Sequence, residues 1–265
     1  MAADKLVDST QLDTDLTAVA NAIRTKGGTS AQLAFPAGFV NAIDAIETGG
    51  GGSSNDIDAV IDRSITNVSS EAVEFKGSYI FSSTPLVTAN FPLLTKFASS
   101  GSNNFASCSQ LLTFSATKLA EIYGVQQFKN CTALTTLVLP SLTKIASNSI
   151  FSGCSALTAI DYGNSAQSGN SAVFGASYIH ENNTVLRTIV LRRNGVATLS
   201  NINCFNNTPF ASGGSGGTLY VPSALISSYQ SATNWSTILG YANNNIQAIE
   251  GSIYETQYVD GTPIT

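Results

Sequence analysis

The chain has 265 residues, enough for one large domain or two small ones and for a sizeable buried core. Only 11% of them are charged and the net charge is −5, so the basic stripe that nucleic-acid binding needs is missing. No apolar run reaches the roughly 18 residues that span a bilayer. The opening MAADKLVDSTQLDTD lacks a secretory signal's apolar core, and the closing YETQYVDGTPIT is no lipidation or wall-sorting signal. The chain is therefore expected to be made in the cytosol and not to leave by the Sec route under its own address.

Residues 1–48 predict two short helices. Leu12, Leu16, Val19, Ala20 and Ile23 recur at helical spacing, Thr10 with Asp13 suits an N-terminal cap, and Lys26-Gly27-Gly28 is a stop. Pro36 starts a second helix carrying Phe39, Val40, Ile43 and Ile46. Some fifty residues make a marginal core, so the faces built from Leu16, Val19, Ile23, Val40 and Ile43 are expected to be buried between copies of the chain or against a partner. Gly49-Gly50-Gly51-Gly52-Ser53-Ser54 heads a linker over 49–55. It lacks the Lys-Ser/Thr ending of a phosphate loop. The wording KLVDSTQLDTDLTAVANAIRTKGGTSAQLAFPAGFVNAIDAI resembles a module at the head of phage structural proteins from Gram-positive hosts. That resemblance implies attachment to a virion.

From residue 56 to 253 the chain is expected to form a repeat solenoid with caps. Ile57, Val60, Ile61, Ile65, Val68, Val73 and Phe75 suggest a capping element with at least one strand. Phe105, Phe128 and Phe151 then stand 23 residues apart, and Cys108, Cys131 and Cys154 keep the step. Leu111, Leu134 and Leu157 keep it too, followed by Phe114, Leu137 and Ile160. Self-similarity at such a period marks stacked coils. Degenerate copies run through Ile80, Leu86, Phe91, Leu94 and Phe97 upstream. Downstream they restart at Leu186, Ile189 and Leu191 after an insertion (163–181), and end at Phe210, Leu219, Val221 and Pro222, where Gly216 replaces the leucine. The unit F-x-x-C-x-x-L-x-x-L-x-L-P-x-L-x-x-I resembles the BspA-type leucine-rich repeat, and Thr218–Trp235 resembles that family's closing unit. The fold class expected is β-rich α+β: a BspA-like leucine-rich-repeat solenoid with a short N-terminal helical module, a small helix near Ser223–Ser231 and a C-terminal tail over 254–265.

In each repeat L-x-L predicts a short parallel strand with its leucines inward. The alternate residues then form an outward row of Asn90, Ser115, Val138, Asp161, Val190 and Tyr220. Beside it runs a second row, Thr88, Thr113, Thr136, Ala159, Thr188 and Thr218. Thr suits any exposed strand, so the row reads first as strand chemistry and second as a surface of hydroxyls for binding.

No cofactor, metal site or catalytic centre is expected. Three of the four cysteines share one inward register, which favours buried spacers over disulfides; Cys204 has no account. The single histidine, His180, falls with Glu181 in the insertion, with no second histidine or nucleophile in phase. Taken with the resemblances, these readings imply a non-enzymatic phage virion component of tail, baseplate or fibre. Its solenoid would bind a protein or surface glycan of a bacterial host, or other virion proteins, and its N-terminal module could join copies of the chain. The alternative is a bacterial surface adhesin or protein-interaction scaffold exported by a non-Sec route.

Overall fold

A computed structural model describes residues 66–164 and 171–264. The two helices expected over 1–48, the linker, and Leu16, Val19, Ile23, Val40 and Ile43 lie outside the described residues.

The described chain is a parallel β-solenoid. Its strands are β1 (Asn67–Ser69), β2 (Glu74–Phe75), β3 (Thr88–Asn90), β4 (Lys96–Phe97), β5 (Thr113–Ser115), β6 (Glu121–Ile122) and β7 (Thr136–Leu139). They continue with β8 (Lys144–Ile145), β9 (Ala159–Tyr162), β10 (Ser171–Phe174), β11 (Thr188–Leu191), β12 (Ala197–Leu199), β13 (Thr218–Val221) and β14 (Asn245–Ala248). Two sheets, β1-β3-β5 and β14-β13-β11-β9-β7, follow the expected strands; β2-β4-β6-β8 and β10-β12 lie in two others.

The core is organised by a column of rings. Phe81 and Phe105 are stacked at 4.9 Å, Phe105 and Phe128 at 5.0 Å, and Phe128 and Phe151 at 5.1 Å. The next ring is His180, 5.4 Å from Phe151 and 5.9 Å from Phe205. Each ring residue donates its backbone N–H to the carbonyl just before the next ring: Phe105 to Gln127 at 2.7 Å, Phe128 to Ile150 at 2.8 Å, His180 to Cys204 at 2.9 Å. Two residues after each ring the chain turns through positive φ, at Ser83, Ser107, Asn130, Gly153, Asn182 and Asn207. Asn tolerates that conformation and Gly adopts it freely. At Gly153 a Cβ would also lie 2.3 Å from Asn130 Oδ1.

The third residue after the ring explains the cysteines. Cys108, Cys131 and Cys154 donate their thiols to the carbonyls of Phe81, Phe105 and Phe128, one coil back, at 2.9, 3.1 and 3.2 Å. In the degenerate copies Thr84 and Thr208 hold the same place and bond Phe81 O and Phe205 O at 2.6 and 2.7 Å. The position thus asks for a small group with one donor, which a spacer alone would not require. Cys204 precedes the ring of Phe205 and is buried like the other three. Burial pushes the Cys108, Cys131 and Cys204 thiols up, away from the reactive thiolate. A thiol reagent is therefore expected to label all four only as fast as the protein unfolds; rapid labelling in native buffer would contradict the packing.

Three expectations need correction. Ile80 is not the first ring, since Phe81 stacks on Phe105. Val73, expected to alternate with the cap's core residues, is 55% exposed, whereas Val68 and Phe75 are buried. His180 closes no loop: it heads a full coil, with Asn183, Leu186 and Ile189 at the positions of Cys, Leu and strand. The interruption is a ring-to-ring step of 29 residues from Phe151 to His180, and β10 lies within it, paired with β12.

At the C-terminal end, β13 is followed by a short 3-10 turn (Ser223–Leu225), α1 (Ile226–Ser231) and α2 (Trp235–Leu239). These cover the free edge of β12 with side chains. Trp235 Nε1 donates to Ala197 O at 2.7 Å, Ala197 N donates to the Tyr229 hydroxyl at 2.9 Å, and Asn234 Nδ2 donates to Leu199 O at 2.7 Å. A covered edge offers no template for further pairing. Here Gly216 is required in place of leucine: φ is +87° and a Cβ would lie 2.2 Å from Asn243 O.

The β2-β4-β6-β8 sheet carries an in-register column unread in the sequence: Glu74, Lys96, Glu121 and Lys144. Lys96 lies 3.8 Å from Glu121, and the ammonium groups of Lys96 and Lys144 lie 5.0 and 4.9 Å from the centre of the Tyr123 ring. Opposite charges alternate along it, as cross-strand neighbours prefer.

Candidate functional site

The outward rows pair as the repeat phase predicts. Thr88 faces Thr113 and Asn90 faces Ser115 in β3–β5. Thr136, Ala159, Thr188 and Thr218 line up across β7, β9, β11 and β13, as do Val138, Asp161, Val190 and Tyr220. Their exposure divides them. Thr88 and Asn90 are tied to β1, Thr88 Oγ1 donating to Asn67 Oδ1 at 2.6 Å and Asn90 Nδ2 to Ser69 Oγ at 3.2 Å. Thr113 is exposed, and Ser115, Thr136, Val138, Thr188, Thr218 and Tyr220 are half-buried. Asp161 and Val190, expected on an open surface, are fully buried.

Asp161 is covered by the segment expected to be a tail, whose Val259 N–H reaches its carboxylate. Residues 253–264 fold into a clasp over the outward face. A 3-10 turn (Ile253–Glu255), capped by the Ser252 hydroxyl, leads to an antiparallel bridge between Gln257 and Pro263. The clasp is pinned by one ion pair. Arg192 Nε and one terminal nitrogen donate to the two Asp161 oxygens, both at 2.8 Å. Its guanidinium also donates to the carbonyls of Tyr254 at 2.5 Å and Gln257 at 2.7 Å, and Val259 N donates to Asp161 Oδ2 at 3.3 Å. Burial pushes the Asp161 carboxyl up, against the pull of Arg192 and of the Val259 N–H. Tyr254 packs edge-on against Tyr220 at 4.7 Å, and Arg192 lies 5.0 Å from the Tyr258 ring centre.

Beside the pinned region the clasp stands away from the sheet and leaves a groove of ≈ 730 Å³. Its floor is Thr113, Phe114, Ser115, Thr136 and Val138, flanked by Leu112, Thr117, Thr135 and Pro140. Its far wall is Tyr258, Asp260, Thr262 and Pro263. The groove lies over the seam between β5 and β7, which belong to different sheets. Four of the residues singled out in the sequence, Thr113, Ser115, Thr136 and Val138, meet here; Thr88, Asn90, Thr188, Thr218 and Tyr220 do not line it. Tyr258, Asp260 and Thr262 were missed.

His180 contributes nothing to this surface. It is fully buried, 3.3 Å by Nε2 from the Tyr162 hydroxyl and 3.1 Å by Nδ1 from Asn183 Nδ2. Desolvation lowers its pKa from 6.5 to about 3, so at neutral pH it is an uncharged member of the ring column. Among the described residues, no cluster of three or more His, Cys, Asp or Glu could hold a metal ion, and no helix is long and apolar enough to cross a membrane.

Parallel coils with an inward column of rings and leucines, one outward strand face and a capped end define a repeat solenoid of the leucine-rich kind. Residues 63–158 match the BspA type leucine rich repeat region in six copies. Among solved structures, the crystal structure of the pneumococcal vaccine antigen PcpA is similar over 69% of this chain, at 17% identity and a TM-score of 0.43. The alignment covers 41% of that protein, so this chain spans well under half of its length. No curated protein matches.

Proposed function

We propose that the chain is a non-enzymatic interaction scaffold that binds its partner in the groove between the outward strand face and the clasp. The observation that carries this reading is the groove itself: hydroxyl side chains on two strands, each held in its own sheet, meet a wall supplied from more than a hundred residues later in the chain. Solenoids commonly use such surfaces for recognition. In its finer form the chain is a component of a phage tail, baseplate or fibre, assembled in the host cytoplasm. The solenoid contacts the host surface or another virion protein, and residues 1–48 attach it or join copies. The resemblance of the opening fifty residues to phage structural modules supports that form.

The test is mass spectrometry of phage particles induced from the strain that carries the gene and purified on a density gradient. The chain is expected to band with the particles in amounts comparable to other tail proteins. Recovery only from the cell envelope would replace the virion reading with that of a bacterial surface protein.

A further inference from the structure

Given that the groove is the binding surface, its chemistry points to the class of ligand. Thr113, Ser115, Thr136 and Thr262 offer hydroxyls, each of which both donates and accepts. Asp260 adds a carboxylate able to accept two hydroxyl protons, and Tyr258 adds a ring. Among the residues lining the groove there is no lysine or arginine, and the one formal charge is negative. A phosphate, sulfate or uronate would meet no cation there and would be repelled by Asp260. A purely apolar ligand would cover the hydroxyl row without offering it partners, at a cost for each group. A volume of ≈ 730 Å³ falls inside the roughly 300–1,000 Å³ of pockets that enclose a small organic ligand.

We infer that the groove takes a neutral oligosaccharide, its hydroxyls bonded to the threonine and serine row and to Asp260, and the apolar face of one sugar ring against Tyr258. The floor suits this ligand for a second reason. Its hydroxyls stand in a register fixed by strand pairing on either side of the seam, Thr113 and Ser115 on β5 and Thr136 on β7. They are therefore placed in advance, and little ordering cost falls on the protein when a sugar binds.

The experiment uses the full chain, fluorescently labelled, on a printed array. The array carries neutral trisaccharides built on glucose, galactose and N-acetylglucosamine, beside uronate- and phosphate-bearing counterparts. Binding to at least one neutral trisaccharide is expected, with none to its acidic counterpart. Thr136→Arg, which fills the groove with a long cation, should lower the signal about tenfold or more, and Asp260→Asn should lower it without admitting the acidic probes. Glu74→Gln, on the β2-β4-β6-β8 sheet and outside the groove lining, should bind as the parent does. Silence on every neutral probe, preference for an acidic one, or undiminished binding by Thr136→Arg would each overturn the inference. Silence on the array from a chain that still bands with particles would leave the scaffold reading in place and assign the groove a protein partner.

Discussion

Replacing Arg192 with alanine is expected to cost about 3–5 kcal/mol, because it strands the Asp161 carboxylate in a buried site. The loss has two parts. Asp161 keeps only the Val259 N–H at 3.3 Å, and the carbonyls of Tyr254 and Gln257 lose the guanidinium that holds them. Arg192→Lys should recover little, since an ammonium cannot reproduce a fork that reaches two carboxylate oxygens and two carbonyls together. Urea unfolding gives the stability, and amide hydrogen exchange over 254–264 reports the clasp. Protection there should fall in both variants while the Phe128–Phe151 region keeps its own. A loss under about 1 kcal/mol, the range of ordinary surface changes, with the clasp still protected, would mean that the ion pair does not pin it.

The second large effect is set by pH. His180 titrates near 6.5 when unfolded but at about 3 in the folded column, so between these values the unfolded chain binds the extra proton. Its contribution is constant above about pH 6.5. As pH falls toward 3 the native state loses stability, by about 1.4 kcal/mol per pH unit and on the order of 5 kcal/mol in all. His180→Phe restores the ring found at the other heads of the coil and removes that titration. The variant loses a fixed amount of stability at every pH, because Asn183 and the Tyr162 hydroxyl are left without the imidazole. Its stability relative to the parent should nevertheless rise by about 2–3 kcal/mol between pH 7 and pH 4.5. Parallel pH profiles for the two proteins would show that the histidine is not held neutral in the core.

These two residues also mark where the sequence could be read and where it could not. A step of 23 residues is local information, and with it came the coil, the inward leucines, the buried cysteines and the pairing of Thr113 with Thr88 or of Val138 with Asp161. His180 escaped because a histidine replaces the phenylalanine and the preceding step is 29 residues, so phase and identity failed together. The thiol bonds to Phe81 O, Phe105 O and Phe128 O were hidden differently. The Cys column was visible, but its hydrogen-bonding demand appears only once Thr84 and Thr208 are found in the same place. The burial of Asp161 and Val190 was the least legible, because alternation along a strand fixes which way a side chain points and says nothing about what later covers it. The covering segment begins more than ninety residues after Asp161. Its anchor, Arg192, follows β11 with no periodic signal.

The central claim, that the groove between strand face and clasp is where the protein meets its partner, is tested most directly by one comparison. Purified full-length protein and its Thr136→Arg variant, first shown to unfold at the same urea concentration, are titrated onto whole cells of the strain that carries the gene. Saturable binding by the parent, weakened about tenfold or more in Thr136→Arg, is the predicted result. Equal binding by the two would place the interaction elsewhere on the chain and contradict the account.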